Sequence, residues 1–113
     1  MPSGRRTPRC EHLHTVLKDF EKDAVLTENI FGFLWSKQAY AVLLKASALT
    51  HASIAEVLEA PRYREMLTEL VKEVVSAAAA NGIRLEPFDA FDPEAFQDTG
   101  AAKLQACFEP NEM

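Results

Sequence analysis

The chain is short of the residues that build several common sites. Its four glycines, Gly4, Gly32, Gly82 and Gly100, lie far apart, so no Gly-x-Gly occurs. Closely spaced glycines let backbone amides approach a pyrophosphate at a helix start, and their absence removes the usual dinucleotide cradle. Two cysteines, Cys10 and Cys107, sit near opposite ends. No apolar core and small-residue cleavage site follow the N-terminus, so no targeting peptide is read there, and the expected setting is a reducing cytoplasm with free thiols. No apolar stretch reaches about 18 residues without a charge, so no membrane span is predicted. Basic residues are outnumbered, and the net charge of -5 argues against a nucleic-acid binder, which needs a basic face. Arg5, Arg6 and Arg9 form the only basic cluster, beside Pro2, Gly4 and Pro8, and read as a solvated lead-in.

Metal ligands are scarce as well. Cys10, His12 and His14 lie together, but a zinc site needs three or four ligands and nothing nearby supplies a second pair. On a helix, Cys10 and His14 share a face while His12 points elsewhere. No metal site is expected. His51 stands alone in a turn and reads as a surface residue.

What the chain does have is helix. Apolar residues make up 48% of it, enough to rule out wholesale disorder. Leu13, Val16, Leu17 and Phe20 give helical spacing over residues 9–20. After Glu21-Lys22-Asp23 comes Ala24-Val25-Leu26-Thr27, a short apolar run of strand length. Such a strand expects a neighbour, and no earlier strand is available to it.

Beyond Thr27 everything reads as helix. Asn29 is a candidate N-cap for a run from Ile30 to Leu49 whose apolar residues point all the way round. A helix of that kind is expected at the centre of a bundle, wrapped by others. Lys37, Ala41 and Lys45 form one stripe at four-residue spacing, with Gln38 beside it, where this helix could meet water or a ligand. Lys37 stands out, because it places an ammonium on a segment that reads as buried, and burial favours the neutral amine useful in proton transfer. Ser53 and Glu56 make a capping box, and Pro61 opens the next helix. There Tyr63, Met66, Leu67, Leu70, Val71, Val74, Val75 and Ala78 form one apolar stripe, ended by Asn81-Gly82. Asp92-Pro93-Glu94 reads as another helix start, continuing weakly past Phe96 towards Phe108.

Taken in order, Asn29-Ile30-Phe31-Gly32-Phe33-Leu34-Trp35-Ser36-Lys37, Ala48-Leu49-Thr50, Pro61-Arg62-Tyr63-Arg64 and Glu73-Val74-Val75 through Asn81-Gly82-Ile83 resemble the C-terminal helical domain of the ketopantoate reductase (2-dehydropantoate 2-reductase) family. Residues 88–96 are similar to a loop of one branch of it. The resemblance implies a mainly α fold, a helical bundle of the 6-phosphogluconate dehydrogenase C-terminal-like type. It makes residues 1–28 a helix-strand remnant of the end of an NADP-binding Rossmann domain, and 29–113 an incomplete helical domain.

The resemblance also implies a chemistry. Family members reduce a 2-keto acid with NADPH, a step of pantothenate biosynthesis, and a lysine protonates the new alkoxide. By the tryptophan-x-lysine motif, Lys37 matches that proton donor. The family's asparagine four residues later is Ala41 here, and the next one is Lys45, so the substrate-binding residues are left unassigned. With no glycine cradle, no cofactor-binding residue is named and no NADPH is expected to bind this chain alone. The expectation is a ketopantoate reductase-like fragment, inactive in isolation, that needs a partner chain supplying a Rossmann domain. The alternative is a non-catalytic helical interaction module, a homodimer.

Overall fold

The structure is a computed structural model that describes residues 4–87 and 91–96, with the side chains of residues 95 and 96 left aside. Four α-helices follow in order: α1 over Pro8–Phe20, α2 over Ile30–Ala46, α3 over Ile54–Glu59 and α4 over Pro61–Ala80. Single 3-10 turns occupy Ser47–Leu49 and Pro93–Phe96. The chain divides into two units, Met1–Ile30 and Phe31–Met113. No helix among the described residues is long and apolar enough to cross a membrane.

In the first unit, local chemistry starts α1. The Thr7 hydroxyl accepts from the Cys10 amide at 3.2 Å, and Pro8 needs no donor partner in the first turn. The expected apolar residues are on this helix, yet none of its residues is buried, and Phe20 is 91% exposed. The predicted strand over residues 24–27 is absent, and no strand occurs among the described residues. A strand exists only by pairing, and here two carbonyls of the segment are taken by side chains instead. His14 Nε2 lies 2.7 Å from the Ala24 carbonyl, and Arg6 donates to Leu26 O at 3.3 Å while sitting 3.8 Å from Glu28.

The second unit is organised by α4. Leu67, Val71, Val75 and Ala78 are buried along one stripe, with Tyr63, Leu70 and Val74 packed at its edges. Leu67, Val71 and Val75 join Ala39, Leu43 and Ala46 of α2, Val57 of α3 and Phe91 in one apolar cluster. Tyr40 meets Phe91 edge to face, with ring centroids 5.9 Å apart. Both ends of α4 follow the predicted chemistry. Pro61 opens it, and Gly82 at φ +70° lets the chain turn back, with Gly82 N–H on Ala79 O and Ile83 N–H on Ala78 O, each at 3.0 Å. The Ser53–Glu56 capping box on α3 is also present, at 3.3 and 2.7 Å. Asp92 accepts from the Glu94 amide at 3.0 Å and so starts the last turn. The continuation expected towards Phe108 lies outside the described residues.

The helix α2 differs from its prediction. It is not wrapped on all sides: Gly32, Ser36, Ala39, Leu43 and Ala46 form its buried seam, while Phe31 and Leu34 are 47% and 49% exposed. Among the described residues of this unit, Val57 of α3, the stripe of α4 and Phe91 share its cluster, which covers one face. Small residues take that face, and the Gly32 carbonyl accepts a long 3.4 Å bond from the Glu86 amide. Within the seam, the Ser36 hydroxyl is fully buried and has no hydrogen-bond partner among the described residues.

An orphaned buried hydroxyl costs about 1–3 kcal/mol. Ser36→Ala is therefore expected to raise stability by about 1 kcal/mol in urea unfolding. Leu67→Ala, which opens a cavity in the cluster, is expected to lower it by about 3 kcal/mol. A destabilising Ser36→Ala would show that the hydroxyl is satisfied.

Candidate functional site

The candidate site is the outer face of α2. Ser36 points into the seam, and successive side chains turn by about 100° along a helix, so Lys37 emerges beside it on the open side. Lys37, Gln38 and Lys45 are all exposed, and Ala41 between them is half-buried. The predicted stripe is thus present as a surface. Phe31 and Leu34 extend the same open side towards the start of the helix, and Tyr40 is 36% exposed.

Lys37 itself departs from its expected setting. Its side chain is exposed rather than enclosed, because the buried seam of α2 is narrow and Lys37 lies outside it. Among the described residues it has no ion pair and no side-chain hydrogen bond. Water exclusion around its ammonium would have to come from whatever covers this face.

The described residues do not fit a dinucleotide. That fit requires a strand, a glycine-rich turn and a helix start with free amides. No strand is present, α1 and α4 open on Pro8 and Pro61, which have no N–H to offer, and α3 is closed by its own capping box. Gly32 lies inside α2 and Gly82 beyond the end of α4. Nor do Cys10, His12 and His14 converge: no group of three His, Cys, Asp or Glu side chains that could hold a metal occurs among the described residues. His14 is engaged with Ala24 O instead.

A second feature has no counterpart in the sequence pattern. Residues 49–52, the start of α3 and the first turns of α4 enclose an open hollow of about 630 Å³ that includes Leu49, His51, Glu56, Arg62, Tyr63 and Met66. Lys37 does not line it. The loop is held by Thr50, whose hydroxyl donates to Ser47 O at 2.9 Å and accepts from the Ala52 amide at 3.1 Å. Helix signals in the sequence bracket this hollow without announcing it.

Two titrating groups are displaced by local bonds. The Ser53 backbone and hydroxyl hold the Glu56 carboxyl below its ordinary value. The Thr7 side chain, then its backbone, with help from Arg9, lowers the Cys10 thiol below the ordinary cysteine value. Thr7→Ala should therefore move the pH midpoint of Cys10 alkylation by iodoacetamide upward. An unchanged midpoint would remove Thr7 as the cause.

No curated protein and no solved structure matches the chain. Residues 29–107, which contain α2, α3, α4 and the Trp35-Ser36-Lys37 motif, match the family described as ketopantoate reductase PanE/ApbA C terminal. That match covers well over half of the sequence, and the chain belongs to the ketopantoate reductase family as a C-terminal helical domain.

Proposed function

We propose that this chain is the lysine-bearing helical half of a 2-keto acid reductase acting on 2-dehydropantoate or a close relative, with NADPH as the family's reductant. The observation that carries this reading is Lys37, which lies in the matched region two residues after Trp35 and, among the described residues, has no ion pair on its exposed stripe. In this role Lys37 holds a proton on Nζ and delivers it to the substrate oxygen as that oxygen becomes an alkoxide. Such general acid catalysis contributes about 10²–10⁴-fold. Gln38 and Lys45 flank the place where the carboxylate of a keto acid would approach, and Lys45 supplies a cation for it.

The reductant belongs to another part of the assembly in this proposal, since these residues form no cradle for it. A Rossmann domain would bring the cofactor, and its face would cover Phe31, Leu34 and Lys37. That cover would exclude water and make the ammonium a more effective proton donor. The setting we propose is cytoplasmic.

The test is reconstitution. The purified chain is mixed with the cofactor-binding domain of a ketopantoate reductase, 2-dehydropantoate and NADPH, and absorbance of the reduced nicotinamide is followed. The chain alone is expected to give no turnover, the mixture is expected to give turnover, and Lys37→Met in the mixture should reduce kcat at least about 100-fold. Full activity of Lys37→Met would remove Lys37 from the chemistry.

A second reading has its own observation. The first unit contains no buried residue among those described, and exposed apolar side chains run along α1 as well as α2. Faces of that kind commonly meet a partner, which supports a helical interaction module acting as a homodimer. Sedimentation velocity over a hundredfold concentration range would show a dimer on this reading. A concentration-independent monomer would contradict it.

A further inference from the structure

The hollow between residues 49–52, α3 and α4 carries a charge pattern that the lysine stripe does not explain. Arg62 places its guanidinium 4.7 Å from the centroid of the Tyr63 ring, a cation–π contact that orients the planar fork. None of the ion pairs among the described residues involves Arg62, so its donors remain available. Glu56 lines the same hollow, with one carboxylate oxygen, Oε2, occupied by the Ser53 amide at 2.7 Å. Its other oxygen has no partner among the described residues, and the low carboxyl pKa keeps the group anionic at neutral pH.

One fixed cation and one fixed anion therefore share a hollow. A monoanion would be drawn to Arg62 but repelled by Glu56, and a monocation would meet the reverse. A ligand with both charges satisfies both side chains. Leu49, 79% exposed, and Met66, 37% exposed, add an apolar wall that water covers poorly. His51 supplies a further polar edge.

We propose that this hollow binds a small zwitterion of the α-amino acid class with an aliphatic side chain, its carboxylate on Arg62, its ammonium on Glu56 and its side chain against Leu49 and Met66. Lys37 does not line the hollow, so the site is independent of the proposed reductase chemistry. An open site of this size is expected to bind weakly, with a Kd of about 1–10 mM.

The test uses the whole 113-residue chain, labelled with ¹⁵N and titrated with L-leucine, with 4-methylpentanoate, which lacks the ammonium, and with 3-methylbutylamine, which lacks the carboxylate. L-leucine should give saturable shifts at the amides of His51, Glu56 and Tyr63, and each analogue should bind about tenfold or more weakly. Arg62→Gln and Glu56→Gln should each cause a similar loss, and glutamine still completes the capping box, so α3 is retained. No saturable shift with L-leucine, shifts located elsewhere, or equal binding of either analogue would overturn the proposal. The analogue series on the unmodified chain separates these outcomes even if a variant fails to fold.

Discussion

The helical unit depends on one aliphatic stripe. Leu67, Val71 and Val75 of α4 gather Val57, Phe91 and Ala39, Leu43 and Ala46 of α2 into a single cluster. The residues that α2 contributes are small apart from Leu43, so it brings little apolar area of its own to that cluster. Each large side chain buried on α4 adds about 1.5–3 kcal/mol of hydrophobic stabilisation. This packing also sets the rotation of α2. Once Gly32, Ser36, Ala39, Leu43 and Ala46 face inward, helical geometry leaves Lys37, Gln38 and Lys45 outside. The position of the candidate proton donor thus follows from which α2 residues face inward.

Much of this was legible where the determining chemistry is local. The Ser53–Glu56 capping box, Pro61 at the opening of α4 and the glycine turn at Gly82 are each set by residues within one turn of one another. The stripe on α4 has strict three-and-four spacing, and its face could be read directly. On α2, apolar residues occur on every side and hydropathy selects no face. Burial in the shared cluster selects it instead: Gly32, Ser36, Ala39, Leu43 and Ala46 are covered, and Phe31 and Leu34 are not. Lys37 therefore emerged exposed from a segment that reads as buried.

Two other features depend on partners that a linear pattern does not contain. Ala24-Val25-Leu26-Thr27 has strand composition, but composition cannot supply a ladder, and His14 and Arg6 take carbonyls that a neighbouring strand would have used. The hollow beside Arg62 arises where residues 49–52 turn through bonds made by Thr50, and neither end of that turn marks a cavity in sequence. The family resemblance pointed to the matched region, while the geometry around Lys37 came only from the packing.

The chain belongs to the ketopantoate reductase family, and its described residues offer one open face of α2 carrying Lys37. We propose that this face, with Lys37 beside exposed Phe31, Leu34 and Tyr40, is the one a cofactor-bearing partner covers. The most direct measurement is competitive acetylation of lysines followed by mass spectrometry. The account predicts that Lys37 of the chain alone is modified as fast as Lys45, and that Lys37 becomes protected when a ketopantoate reductase cofactor-binding domain is added. Slow modification of Lys37 in the chain alone, with no change on adding that domain, would contradict it.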